Sequence, residues 1–317
     1  MWFAPVNDPA GAGTRAPCHR VGTRVHTHTG ADASSRPTDP LAAVADLIAR
    51  QAGVISRAQA LAAGMSALAV DDRLRTRRWS PVHPRVYLER SYPLGPEARV
   101  RAAVLWAGPD AVLCGLAAAW WHGLTAEPPP VIGVAVPRAR SSHRTRSGVS
   151  VRHRRHDAAD VLEDRGVRLT TRGLSVLDAA VELGSRGAAF LDHALRAGVT
   201  FAELEAAHPA TGSSTAARLL ASARARSGAV ATDRLTRLLL AARLCGWRPG
   251  PAHPGQAVAL FPTAEVAVVV NGWVEPPDPP PVPAGWTRLH YSWRDLGVRS
   301  ADVAAEIARV TRPRQRS

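Results

Sequence analysis

Between Leu41 and Leu88 the hydrophobic pattern passes from a helical period to a strand period, and this stretch limits the fold more than any other. The first helical pattern follows Asp39-Pro40, with Asp39 placed to cap it and Pro40 suited to the first helical position. Leu41, Val44, Leu47 and Ile48 fall on one stripe of that helix. A second pattern starts at Ser56, where Ser56 and Gln59 have capping-box spacing and each side chain satisfies an otherwise orphaned N–H. Gly64 suits the left-handed residue that ends it. Ser66 caps a third helix, in which Leu68 and Leu74 are expected to face inward. Trp79–Val82 and Arg85–Leu88 follow as two strands turned at His83-Pro84. The short Ala63-Gly64-Met65 connection suits a helix-turn-helix, and the added hairpin predicts a winged helix-turn-helix domain over residues 39–92.

Six arginines in this domain are candidate DNA contacts. Arg73, Arg75, Arg77 and Arg78 lie at the end of the third helix, Arg85 lies in the wing, and Arg57 opens the second helix. Arginines so placed neutralise DNA phosphates and release counterions. Asp71 and Asp72 oppose them, and Ala67 and Ala69 stand where base-reading side chains are expected. Phosphate contact without sequence readout is therefore the expectation. The competing reading is a small helical domain whose arginines are merely solvated. The whole chain favours an anionic partner: its formal net charge is +14, its pI about 11.3, and double-stranded DNA is the default for such a balance. Every one of the 40 basic Lys or Arg residues is arginine, so part of this excess fits compositional drift in a high-GC genome.

The 317 residues suffice for two or three domains, and 46% hydrophobic content argues for a mostly folded chain. Residues 1–38 are rich in Pro, Gly, Thr, Ser, Arg and His, and a disordered tail is expected there. They contain no long apolar signal-peptide core. His26 and His28 near Cys18 hint at metal but lack a second ligand pair. The three cysteines are widely spaced and odd in number, which points to a reducing cytoplasm, and no apolar run reaches membrane-spanning length.

An α+β middle domain is expected over residues 93–228. Two helices over 95–124 break at Gly108-Pro109, the second carrying Val112, Leu113, Leu116, Ala119 and Trp120. His122 is read as a satisfied, semi-buried histidine. Strands at Val131–Val136 and Val149–Arg152 flank a basic hairpin loop or disordered connection, and His153-Arg154-Arg155-His156 is a second phosphate-contact candidate. Helices are expected at Thr170–Leu183, Gly187–Ala197, Phe201–His208, Ser214–Arg226 and Thr232–Cys245, with Thr200 and Glu203 forming a capping box and Gly228 a joint. Residues 229–317 then form the last domain, with strands at Ala257–Phe261, Val266–Asn271 and Thr287–Tyr291 and a helix Ala301–Val310 capped by Ser300. The unbroken run Val266-Ala267-Val268-Val269-Val270 is that of a strand buried on both faces.

The run GVISRAQALAAGMS, with RRWSPVHPRVYL after it, resembles the N-terminal domain of AbiEi-like antitoxins of type IV toxin–antitoxin systems in actinobacteria. GVAVPRAR, SGVSVRHRR and GVRLTTRGLSVLDAA resemble the central region of the same chains. LTRLLLAARLCGW, ALFP, VAVVVNGW and AGWTRLHYSWRDL resemble their C-terminal domain, a restriction-endonuclease-like core related to very-short-patch repair nucleases. The likeness covers most of residues 41–311 and implies a mixed α/β, multidomain protein that binds DNA and a cognate toxin. It also implies where magnesium-binding carboxylates would stand. Those positions carry Val258, Val269 and Asn271, which supply no charge, while Asp233 remains near the helical acid position. The resemblance thus implies a degenerate nuclease domain without catalytic residues or cofactor. One alternative is an active magnesium-dependent nuclease using Asp233 with Glu265 or Glu275, and another is a non-catalytic scaffold for a toxin.

Overall fold

The computed structural model describes residues 39–137, 148–251, 253–276 and 278–312. The disordered tail expected at 1–38, with its histidines, and the basic connection at 138–147 lie outside the described residues. The fold is mixed α/β, with three sheets among the described residues.

The N-terminal module runs α1 (Pro40–Arg50), β1 (Val54–Ser56), α2 (Arg57–Ala62), α3 (Ala67–Arg75), β2 (Trp79–His83) and β3 (Val86–Glu89). Its caps follow the sequence. Asp39 accepts from the Leu41 N–H, Ser56 and Gln59 form a reciprocal capping box, and Ser66 accepts from the Ala69 N–H. Gly64 follows α2 with φ +94°. The strand β1 was not expected. It is three residues long, and it pairs antiparallel with β3 to give a sheet ordered β1-β3-β2. Gly53 makes room for it, since a Cβ there would lie 2.3 Å from the Tyr92 side chain. Val44, Ile48, Ile55, Ala60, Met65, Val70, Trp79 and Tyr87 form the module's core. Leu68 does not face inward as expected, being 80% exposed. Val70 and Leu74, four apart, take the buried stripe, and Leu68 lies two residues earlier, on the opposite side of the helix.

The middle region holds α4 (Pro96–Ala107), β4 (Val112–Leu113), α5 (Gly115–Trp121), β5 (Ile132–Val136), β6 (Val149–His153), β7 (Val161–Asp164), β8 (Val167–Thr170), α6 (Arg172–Glu182), α7 (Gly187–Arg196) and α8 (Phe201–Thr211). The sheet order is β6-β5-β4-β8-β7. Val112 and Leu113, expected in a helix, form a short strand, held by pairing with β5 on one side and β8 on the other. A hairpin between β5 and β6 is ruled out, because the two strands are parallel. The actual hairpin is β7–β8, whose tight turn places Arg165 and Gly166 at φ +49° and +72°. His122 behaves as expected, its Nε2 lying 2.9 Å from the Thr170 carbonyl oxygen.

The C-terminal elements are α9 (Ser214–Ala241), β9 (Arg248–Pro249), β10 (Gln256–Phe261), β11 (Val266–Asn271), β12 (Thr287–Ser292), α10 (Asp295–Val298) and α11 (Ser300–Thr311). The joint expected at Gly228 is absent, and α9 runs unbroken through it for 28 residues. Gly228 lies mid-helix against the β9–β10 connection, where a Cβ would meet the Gly255 backbone nitrogen at 3.4 Å, an ordinary contact distance. The residue-228 boundary therefore falls inside a helix whose buried side chains belong to one core shared by α6–α8 and the last sheet. Ser300 is the first residue of α11 rather than its cap; Arg299 takes the cap position without a side-chain bond. The last sheet is ordered β12-β11-β10-β9, with β10–β11 antiparallel and β11–β12 parallel. Ala257, Ala259, Val266, Val268 and Val270 pack with α9 and α11 on one face, and all six residues of β11 are buried.

Candidate functional site

The six arginines of the N-terminal module do not act alike. Arg57 is gripped by both carboxylate oxygens of Asp71, at 2.6 and 3.2 Å, which ties the start of α2 to α3. That guanidinium holds the Asp71 carboxyl below the usual carboxylate range. Arg75 pairs with Asp72 at 2.6 Å, one turn earlier on α3. Arg73 lies over the Trp79 ring, 5.6 Å from its centroid. Arg77, Arg78 and Arg85 have no carboxylate partner among the described residues. Arg77 and Arg85 both occupy turn positions, with φ +56° and +62°. Arg78 precedes β2 and Arg85 closes the hairpin at its other end, so the two stand roughly 20 Å apart along the strand. The exposed face of α3 presents Leu68 with Asp71 and Asp72, which hold Arg57 and Arg75.

The second place of interest is the end of β11. Strand pairing sets Val258 opposite Val269, Gln256 opposite Asn271, and Asn271 opposite Ser292. Alternation then puts Val258, Val269 and Asn271 on one face at one end of the sheet, so the three matched positions do converge. Their chemistry is that of an amide network. Asn271 is 7% exposed; its Oδ1 accepts from Gln256 Nε2 at 2.7 Å and lies 3.0 Å from His290 Nε2. Its Nδ2 donates to Glu275 Oε1 at 3.4 Å. These groups line a cavity of about 270 Å³ with Asp278 and Arg288.

The alternative acids do not converge. Asp233 stands on the solvent side of α9, across the sheet, in an ion pair with Arg237. Glu265 lies in the β10–β11 turn, at the far end of β11 and roughly 20 Å from Asn271. Glu275 alone reaches the cavity at Asn271, with Asp278 at its edge. Among the described residues no group of three or more His, Cys, Asp or Glu could hold a metal ion. Gln256 and His290 were not singled out from sequence. The available signal was their alternation: each interrupts a strand at a position facing Asn271 rather than the helices.

The sequence runs around these strands hold the architecture. Trp273 donates its indole N–H to the Ala223 carbonyl of α9 at 2.8 Å and meets the Trp293 ring edge-on. Arg234 donates to the Trp293 carbonyl at 2.7 Å and stacks over its ring. Ser292 and Asp295 exchange hydrogen bonds at the start of α10, which holds the Asp295 carboxyl below its ordinary range. The second phosphate candidate is divided too. Arg154 faces Asp178 at 3.3 Å, while burial lowers the pKa of His156. Among the described residues no helix is long and apolar enough to cross a membrane. No protein-family model matches the chain, and no match is found among curated proteins.

Proposed function

We propose that the chain is a DNA-binding, antitoxin-like regulatory protein whose C-terminal nuclease-type fold no longer carries out chemistry. Residues 39–92 are a winged helix in this reading. The observation that carries it is the helix–strand–helix–helix–hairpin order with sheet order β1-β3-β2, bearing Arg77, Arg78 and Arg85, which have no carboxylate partner among the described residues. Arginine forks suit phosphate oxygens, and a +14 chain draws polyanions. The acidic and apolar surface of α3 argues against base readout, so binding depends on salt and little on sequence. The free thiols of Cys114 and Cys245 accord with a reducing cytoplasm.

In the C-terminal part, the positions where the resemblance would place metal ligands hold two valines and an amide engaged by Gln256, His290 and Glu275. In-line attack on a phosphodiester needs charge stabilisation and an activated water, which such a set does not supply. The test of the whole reading is twofold. Fluorescence anisotropy of a labelled duplex with the full chain should show affinity that falls steeply with salt and varies little with sequence. Supercoiled plasmid with magnesium or manganese should stay intact. Salt-independent binding would overturn the DNA reading, and metal-dependent nicking lost on Asp233→Ala or Glu275→Ala would restore the enzyme. A second reading has one observation in its favour: Leu68, 80% exposed beside Asp71 and Asp72, suits contact with a protein partner such as a toxin better than with DNA.

A further inference from the structure

Between the N-terminal module and the middle sheet runs a groove of about 970 Å³. That is the size of a small-molecule site, and junctions of this kind are where such sites occur. Its floor is apolar: Val86 is buried, and Val104, Leu105 and Trp106 at the end of α4 are half-buried. Leu61 of α2 overhangs it with 41% of its surface exposed. The rim is cationic. Arg57, Arg85 and Arg168 face it against one carboxylate, Glu163. Arg57 is already held by Asp71, whereas Arg85 and Arg168 have no carboxylate partner among the described residues.

We infer that this groove binds a small amphipathic anion, an apolar body ending in one carboxylate. The apolar part replaces water on Leu61, Val104 and Trp106, and the carboxylate takes charge-assisted hydrogen bonds from Arg85 and Arg168. Other occupants fit worse. The chain's first 38 residues carry Arg15, Arg20, Arg24 and Arg36 against Asp8 and Asp32, the same sign as the rim. A nucleic-acid backbone would set phosphates against an apolar floor. The inference does not depend on DNA binding.

Isothermal titration of the full chain with dodecanoate, below its micelle concentration, tests it. Saturable binding of one equivalent is expected, with dodecylamine, the same tail bearing the opposite charge, binding at least tenfold more weakly. Arg85→Gln with Arg168→Gln should weaken dodecanoate binding by about tenfold or more, as loss of a charge-assisted hydrogen bond predicts. Leu61→Glu, at an exposed position, should weaken it through repulsion while leaving the unfolding midpoint unchanged. Absence of saturable heat, equal binding of dodecylamine, or wild-type affinity in both variants would overturn the proposal.

Discussion

In the DNA-binding reading proposed above, the two aspartates of α3 set how much charge the N-terminal module offers to DNA, and neutralising them should increase it. Arg57 and Arg75 are bound by Asp71 and Asp72, and Arg73 lies over the Trp79 ring, which leaves Arg77, Arg78 and Arg85 as candidate contacts. Each phosphate neutralised adds about −0.9 to the slope of log affinity against log salt, so these three supply roughly −2.7 at most. Asp71→Asn with Asp72→Asn frees two further guanidinium groups and should steepen the slope by up to about 1.8. Over a fourfold change in salt that difference amounts to roughly tenfold in affinity. The carboxylates are exposed, at 56% and 51% of their side-chain surface, and exposed ion pairs contribute little to stability, so the fold should survive. The assay is anisotropy of a labelled duplex over a range of sodium chloride, comparing full-length wild type, the double asparagine variant, and Arg77→Gln/Arg78→Gln/Arg85→Gln. Other arginines contribute a common background that cancels in the differences. An unchanged slope in both variants would refute the reasoning and leave the α3 face to a protein partner.

Three further outcomes follow from packing and burial. A Cβ at Gly272 would lie 2.2 Å from the Ser227 carbonyl oxygen of α9, so Gly272→Ala should cost about 1–3 kcal/mol and lower the urea midpoint; an unchanged midpoint would show that α9 and β11 separate freely. Burial pushes the Cys114 thiol up to about 12, so iodoacetamide should alkylate exposed Cys245 in the native protein and Cys114 only after denaturation, as read by peptide mass spectrometry. Burial lowers the pKa of His122, so its ring should titrate by NMR below an ordinary histidine. The unfolded chain then binds the extra proton first, so this group's stabilisation is present above the ordinary histidine pKa and is lost as pH falls towards the folded value. His122→Phe should reduce that part of the slope of stability against pH.

The elements legible in the sequence were those whose signals are local. Ser56-x-x-Gln59 and Thr200-x-x-Glu203 closed the capping boxes their spacing requires, and the Val266–Val270 run is buried throughout. What failed needed partners distant in sequence. The strand β1 is too short to show a period and exists because β3 pairs with it. Gly228 looks like a joint, yet α9 runs through it because its flanking turns pack on the last sheet. The six arginines were equivalent as residue types, and only the fold shows that Asp71 and Asp72, counted against the DNA reading as bare negative charge, act by holding two of them.

The strand-end position illustrates the same limit more sharply. Sequence registered Asn271 as a missing carboxylate, and the pairing of β10, β11 and β12 does bring it together with Val258 and Val269. The structure adds why an amide suits the place. Asn271 donates to Glu275 through Nδ2 while its Oδ1 receives Gln256, and it is 7% exposed. An aspartate there would lose the donor and bring a second carboxylate beside Glu275, whose own side chain is exposed. It would still lack the partner carboxylates at Val258 and Val269, one of which is fully buried among neighbours on both strands. Glu275 and Asn271 are therefore a matched pair. Metal binding at this strand end would need carboxylates at Val258 and Val269 as well as at Asn271, and no single substitution supplies them.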